Sequence, residues 1–569
     1  MIKNVTKKNG KFNILFLILL VLIGYPMIIS GIMCNDELIT RYVRSLGFFA
    51  LIKDNILTAQ AKGRTIGGYF DVRWLSFLSE NTIVNRVVDV ALLLVVFLLF
   101  AYFIFRIVNN KKFSMFLFVM LFCCLPITFE HGIPNAFIAI TVGPLIILLT
   151  SFLLYMSYFE TKIETRLIIS MVLYFVAMVQ YEFVVTYIFI YWILALYYLS
   201  KNTKISINTI KSNWLIFFVP FILTFGYIIF YFVIQHYFPS NYEGNTIEIL
   251  SFKQVIYILY VLAKSAMPGY FLTNEKYRWL LNYHEQDFSN MTMLYVVVAV
   301  IMLALGAAIY SIVGKGEVRK IQKDYLVIFV SVMYMILPSM PNSISSLYQA
   351  TLSESFFTWL PVSTFLYCAA VLVVSLIVWK ILSKFNNKIV FITIALVCVL
   401  IGQIQYMNYV FAHQHQYNYN RIISIEHLIQ TNFFSEFHGR TVNSADIFES
   451  RNLLAVHDSY WTSYGLTRGK YVNIVKESTS PVQLFYYNDE LFVVSNGKNV
   501  VVCSEEELNG KYIVKVNDNQ EVIGDFSGGI LDQGFYMYGF SFVEGTLYSE
   551  EFNEVEYELV NSADYFLEK

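Results

Sequence analysis

The sequence predicts a polytopic, mainly α-helical membrane protein with a second, soluble domain at its C-terminal end. Of its 569 residues, 57% are hydrophobic, 17% aromatic and only 14% charged, with a mean hydropathy of +0.57. The apolar residues gather in runs near the roughly 20 residues that a bilayer-spanning helix needs. Charge marks the soluble part: residues 410–569 hold 10 Lys and Arg against 23 Asp and Glu, whereas the rest holds 30 against 18. The two halves therefore differ by −13 against +12, which places a boundary at residue 410 and predicts domains over 1–409 and 410–569. The abundance of Ile, Asn, Lys, Tyr and Phe fits an AT-rich bacterial genome. No nucleic-acid partner is expected.

Eleven runs read as transmembrane helices: 12–33, 87–108, 113–129, 135–158, 167–180, 183–199, 213–237, 292–313, 324–341, 355–380 and 389–409. Only Gln180-Tyr181-Glu182 separates the fifth from the sixth, but both outer flanks are basic, with Lys162 and Arg166 before and Lys201, Lys204 and Lys211 after. The positive-inside rule then requires a return between them. With that topology the cytoplasmic segments carry 19 Lys and Arg, while the short outer loops 130–134, 181–182 and 342–354 carry none. The N-terminus is thus expected in the cytoplasm, and the C-terminal domain outside a bacterial cell membrane. The first run lacks a small-x-small cleavage site and reads as a helix rather than a signal peptide.

Three long segments face outward in this scheme: 34–86, 238–291 and 410–569. The first mixes acids and bases. In the second, 252–266 reads as a short apolar helix ending near Lys264, lying in the interface or against the bundle. The third opens with a polar link, His413-Gln414-His415-Gln416, then a helix from about Asn420 to Phe437. Short β-like runs follow at 483–487, 491–495, 499–503, 512–516 and 535–543, with Asn496-Gly497 as a hairpin signal. An α+β or β-rich extracytoplasmic domain is predicted. Of six cysteines four lie in helices, and no pairing of Cys34 with Cys503 is inferred. No CxxC, HExxH, Walker A, nucleophile elbow or GxGxxG occurs, so ATP, zinc-protease and serine-hydrolase chemistry have no support.

The candidate chemistry sits just after the first helix. Asn35-Asp36-Glu37 is followed by Arg41, Arg44, Gly63-Arg64 and Asp71-Val72-Arg73. Sugar transfer from a phosphate-linked donor needs a base for the acceptor proton and cations for the departing phosphate. Asp36, with Glu37 second, suits the base or acceptor-positioning role. Arg41, Arg44, Arg64, Arg73, Lys264 and Arg278 suit the phosphate, Arg bidentately. Asp71, Glu130-His131 and Glu182 add candidate contacts near the outer edge of the apolar slab, where ionisable groups tend to be functional. A divalent cation would fit carboxylates beside a phosphate, but no ligand set can be named. Plainer readings stand beside these. Arg64 can snorkel to headgroups, Glu130-His131 can be a satisfied turn pair, Glu182 can mark a turn, and Lys264 and Arg278 can simply meet lipid.

The Asn35-Asp36-Glu37-Leu38 segment with Arg41, then Lys62-Gly63-Arg64, resembles the GT-C class of integral membrane glycosyltransferases, and within it the bacterial glucosyltransferase family that modifies O-antigens. The resemblance covers about the first 110 residues by motif and the remainder by architecture alone. It implies a GT-C-like bundle, a polyprenyl-phosphate-glucose donor, a cell-envelope glycan acceptor and inversion at the anomeric carbon. Asn35 stands where that family commonly has the first Asp of a pair, which leaves open whether Asp36 or Glu37 corresponds to the base. A flippase for lipid-linked glycans, or an envelope polysaccharide polymerase or ligase, is the competing class. A flippase would place charges along helix centres, and this sequence keeps them at helix ends.

The topology is testable by labelling. With Cys34 and Cys503 replaced by Ser, an Asp36→Cys variant is expected to react with a membrane-impermeant maleimide from outside intact cells, and Lys162→Cys only after permeabilisation.

Overall fold

A computed structural model describes residues 10–31, 35–64, 66–127, 138–202, 211–237, 239, 252–274, 278, 281, 291–313, 321, 324–349, 363–430, 441–443, 459–470, 473–475, 483–487, 490–495, 499–504, 511–516, 520–525, 529–530, 536–542 and 557–561. Its helices are α1 (Gly10–Ile29), α2 (Asn35–Ser45), α3 (Phe48–Ala61), α4 (Gly67–Phe70), α5 (Thr82–Val108), α6 (Lys111–Cys123), α7 (Ile138–Thr161), α8 (Glu164–Gln180) and α9 (Ile188–Asn202). They continue as α10 (Trp214–Tyr237), α11 (Phe252–Ser265), α12 (Tyr270–Thr273), α13 (Met291–Val313), α14 (Asp324–Ser343), α15 (Ser363–Lys384), α16 (Asn387–Gln430) and α17 (Ser459–Leu466). Single 3-10 turns lie at Arg73–Phe77 and Glu182–Tyr187. By contacts the chain forms two compact units, one of residues 1–30 and 43–413, the other of 31–42 and 414–569.

In the first unit, eight helices among the described residues are long and apolar enough to cross a membrane: 82–108, 138–161, 182–201, 214–237, 291–313, 325–343, 363–384 and 387–416. The sequence predicted eleven runs, and the remaining three form shorter helices. The apolar part of α1 is Asn13–Ile29. Helix α8 has 17 residues and stops where Tyr181 turns extended, at φ −148° and ψ 117°. Helix α6 has only 13 residues, about 20 Å at the usual rise. It stops because Pro126 bars its predecessor from the helical region and has no N–H to continue the ladder. The expected helix over 113–129 is corrected accordingly.

Exposed apolar surface supports the membrane reading. Helix α10 shows Trp214, Phe221, Phe225 and Phe232 at 42–55% exposure, an apolar face that a water-soluble monomer would not leave bare. The core is aromatic. Phe103 meets Phe152 at 5.6 Å, Phe152 meets Tyr191 at 4.9 Å, and Tyr187 meets Tyr334 at 4.9 Å between ring centroids. Such pairs add about 0.5–1.5 kcal/mol each beyond the area they bury. Small residues bring α7 and α8 close: the Ser151 hydroxyl donates to the Ser170 carbonyl at 2.5 Å, and Ser170 donates back to Ser151 at 2.8 Å.

Caps set the ends of α5. The Asn81 side chain accepts from the Ile83 and Val84 amides at 2.9 and 3.4 Å, starting the helix five residues before the predicted 87. Asn109, left-handed at φ 52°, closes it. The end of α6 is satisfied from other helices. Tyr367 donates to the Leu121 carbonyl at 2.7 Å and Gln405 to Cys123 at 2.8 Å. Asn408 donates to the Leu125 carbonyl at 2.8 Å and accepts from the Ile127 amide at 2.7 Å.

In the second unit, the end of α16 continues through the predicted link at 413–416 as helix. Residues 403–430 contain neither Gly nor Pro, so polarity alone does not break it. The separate helix expected from Asn420 is corrected to this continuation; residues 431–437 lie outside the described residues. The Gly31 φ is +59°, and a side chain there would strike Tyr419. Among the described residues ten strands follow: β1 (Thr441–Asn443), β2 (Asn473–Val475), β3 (Gln483–Tyr487), β4 (Glu490–Ser495), β5 (Asn499–Ser504), β6 (Lys511–Val516), β7 (Gln520–Asp525), β8 (Gly529–Ile530), β9 (Tyr536–Phe542) and β10 (Tyr557–Asn561). They pair in the order β10-β6-β7-β9-β5-β4-β3-β1-β2, with β8 on β9. The β1 pairings to β2 and β3 are parallel and the others antiparallel. The five strand-like runs fall on β3, β4, β5, β6 and β9; Asn496-Gly497 lies outside the described residues.

Asn408→Ala is expected to lower the thermal midpoint of the detergent-solubilised protein, since it orphans a buried carbonyl and a buried amide worth about 1–3 kcal/mol each. Gln403→Ala, at an exposed position on the same helix, should leave the stability within about 0.5 kcal/mol of wild type.

Candidate functional site

The predicted site residues fall in both units. In the unit of residues 31–42 and 414–569, Asn35, Asp36 and Glu37 form the first turn of α2, where carboxylates favour the positive end of the helix dipole. The Asp36 side chain lies outside the described part of the structure; Glu37 is buried. One turn on, Arg41 Nη1 donates to both Glu426 oxygens at 2.6 and 2.7 Å. The Tyr460 hydroxyl donates to Glu426 Oε1 at 2.6 Å. Burial works against the Arg41 charge, yet Glu426 outweighs it and holds the guanidinium above its ordinary range. Burial, then Glu426, pushes the Tyr460 phenol well up, so it remains a donor. Arg41 is therefore committed to an internal carboxylate.

The other unit holds Arg44, Arg64, Asp71, Arg73, Glu182, Lys264 and Arg278. Arg44 closes the turn at Arg73–Phe77: its Nε donates to the Phe77 carbonyl at 3.1 Å and its Nη2 to Leu78 at 3.3 Å, with Glu80 at 3.6 Å. Lys264 is exposed near the Tyr260 and Tyr270 rings, and Arg278 is exposed. Among the described residues no contact joins either to the pairs below. Glu130 and His131 lie outside the described residues.

Two clusters form at one end of the bundle. In the first, Arg64 Nε donates to Glu182 Oε1 at 2.6 Å, and the guanidinium lies 4.7 Å from the Tyr181 ring centroid. Burial again opposes the charge, and Glu182 with Tyr181 more than restores it. Glycines permit the approach. Gly63 has φ +79°. A Cβ on Gly67 would come 2.7 Å from the Val179 carbonyl, and one on Gly68 would come 2.8 Å from the Ile56 Cα. The cleft beside Arg64 is lined by Gly67, Val179, Tyr227 and Tyr231 and holds about 10 Å³, room for one water.

In the second cluster, Asp71 accepts from the Arg73 backbone amide at 2.8 Å and from its Nη2 at 3.0 Å. Val72 packs on Gly143 so closely that a side chain there would collide. The Ser76 hydroxyl donates to Asp89 Oδ1 at 2.6 Å and accepts from the Ala139 amide at 3.3 Å. Asp89 also pairs with Arg86 at 3.4 Å. Sequence reasoning missed Arg86 and Asp89 as partners, because Arg86 was placed in the outer loop and Asp89 inside an apolar run. A carboxylate at the third position of such a run was the available signal.

Exposure separates the clusters. The Arg86 and Asp89 side chains are 1% and 2% exposed and Arg73 and Asp71 8% and 7%, whereas Arg64 and Glu182 are 18% and 25%. The pairs beyond reach of a ligand hold the 71–77 segment on α5 and α7. Of these three pairs, Arg64–Glu182 is the most exposed. Among the described residues no three His, Cys, Asp or Glu side chains gather to hold a metal ion. Comparisons with protein-family models, curated proteins and solved structures return no match to the chain.

Asp89→Asn removes the carboxylate that pairs with the buried Arg86 and is expected to cost up to about 3–5 kcal/mol of stability. The double replacement R86M/D89L should cost clearly less than the single one. Both are read by thermal unfolding in detergent.

Proposed function

We propose that this chain is a GT-C-like membrane glycosyltransferase that moves a hexose, glucose by preference, from a polyprenyl phosphate to a cell-envelope glycan on the outer face of a bacterial membrane. The observation that carries the reading is the partly buried Arg64–Glu182 pair, set on an apolar bundle whose spans keep Asp, Glu, Lys and Arg near their ends. Ionisable groups at the span ends suit chemistry on a lipid-borne donor; a route through the bilayer would need them at mid-depth.

The chemistry is a single displacement. A carboxylate takes the proton of the acceptor hydroxyl, whose oxygen bonds to the anomeric carbon. The bond from that carbon to the phosphate oxygen breaks, and its electron pair leaves with the polyprenyl phosphate. Inversion follows. Arg64 meets the departing phosphate by exchanging its Glu182 partner for phosphate oxygens, which frees that carboxylate as an acceptor. The small cleft beside it means that this exchange requires Arg64 to turn outward. Asp36 and Glu37 stay the sequence's candidates for the base, and their role is tested independently.

A lipid-linked glycan transporter is the second reading. The interruption of α6 before Pro126 favours it, since interrupted helices mark transporter binding sites.

Membranes containing the wild-type protein and radiolabelled polyprenyl-phosphate-glucose are expected to label an envelope glycan. Arg64→Gln should slow transfer about 10²-fold or more, and so should whichever of Asp36→Asn and Glu37→Gln removes the base. Undiminished labelling in every variant removes these roles. Absence of transfer by wild type from several polyprenyl-phosphate hexoses turns the assignment to transport.

A further inference from the structure

At the opposite ends of α5, α7 and α9 lies a second cavity, of about 430 Å³, lined by Arg106, Asn109, Glu160, Tyr197 and Lys201 with Phe105, Ile107 and Val108. That volume is within the range of small-ligand sites, and the Arg64 cleft is far below it. These helix ends belong to the side that the loop charges assign to the cytoplasm. The cavity therefore stands at the depth of the inner headgroups.

Its charges are unequal. Arg106 Nη2 meets Glu160 at 2.8 Å, with side-chain exposures of 17% and 47%. Glu160 also accepts from the Tyr198 hydroxyl at 3.2 Å, and Tyr197 donates to the Ile107 carbonyl at 3.3 Å. Glu160 thus serves Arg106, and one cation is left over. The exposed Lys201 ammonium rests 4.5 and 4.4 Å from the Tyr197 and Tyr198 ring centroids and has no carboxylate partner among the described residues. The cavity wall carries a net positive charge beside an apolar rim, the arrangement that takes an anionic headgroup between transmembrane helices.

We propose that this cavity is a binding site for the phosphodiester headgroup of an anionic membrane lipid, with Lys201 the principal phosphate contact and Arg106 the second. The partly exposed Phe105 faces the glycerol and upper acyl segments. The site is separate from the proposed transfer chemistry and does not depend on it.

The intact protein in nanodiscs of equal parts phosphatidylcholine and phosphatidylglycerol tests the proposal, with the retained lipid counted by native mass spectrometry. Wild type is expected to retain phosphatidylglycerol preferentially. Lys201→Gln should lower the ratio of the two retained lipids about five-fold, and Lys201→Arg should keep it. Lys384→Gln, another exposed lysine at a helix end, should leave the ratio unchanged, and thermal midpoints verify that each variant is folded. A Lys201→Gln ratio equal to wild type overturns the proposal, as does an equal fall in Lys384→Gln. Displacement of the lipid by millimolar glycerol phosphate also overturns it, since the ligand is then a soluble anion.

Discussion

A hydrogen-bond constraint at the end of α6 organises the bundle. Where lipid replaces water, an unpaired backbone amide or carbonyl costs several kcal/mol, so interrupted backbone persists only if other parts of the protein complete it. Pro126 makes the interruption unavoidable. Tyr367, Gln405 and Asn408 answer it with four bonds of 2.7–2.8 Å from two other helices. These are the polar groups on otherwise apolar surfaces, and they fix the rotation of α15 and α16 about their axes more tightly than apolar contact can. Dispersion contacts among Leu, Val and Phe tolerate a slide of an ångström; two amides that must each meet a particular carbonyl do not.

The same reasoning ranks the ion pairs. A charge pair with 1–2% exposure, like Arg86 with Asp89, has surrendered nearly all its hydration and returns it only while both partners stay in place. Such a pair holds structure. Arg64 with Glu182, at 18% and 25% exposure, keeps part of its hydration, so separating its partners costs less than it would for Arg86 and Asp89. Proximity alone would have grouped both pairs into one site, and solvent access divides them.

Much of the bundle is legible in the sequence because apolar length is a direct physical requirement of the bilayer. The runs at 213–237, 292–313 and 324–341 match α10, α13 and α14 to within about two residues at each end. Misreadings arose where a single residue outweighs composition. Pro126 cut a run that hydropathy carried to 129, and Asn81 began α5 in a stretch read as loop. Polarity misled in the other direction at 413–416, where His and Gln interrupt hydropathy but leave the helical ladder intact. For the site, the local pair Asp71 with Arg73 lies within sequence reach. Arg64 with Glu182 spans 118 positions and Arg41 with Glu426 spans 385, and no periodicity reports a partner at such distance. The individual residues were visible as charges out of place; their partners required the fold.

Charge compensation distinguishes the two ends of the first unit. At the end bearing Arg64, Arg73 and Arg86, each of these guanidiniums already has a carboxylate from this chain. Anything anionic that binds there must displace an internal partner, which makes occupancy depend on what the ligand offers in return and so favours a doubly charged or bidentate group such as phosphate. At the end bearing Arg106 and Lys201, the carboxylate of Glu160 pairs with Arg106 alone, and an anion can meet Lys201 without displacing a carboxylate among the described residues. Exchange at one end and vacancy at the other give a physical basis for selectivity against steady occupancy. A reaction site benefits from a cation that releases its ligand when the carboxylate returns, and a structural lipid site benefits from one that has no such competitor.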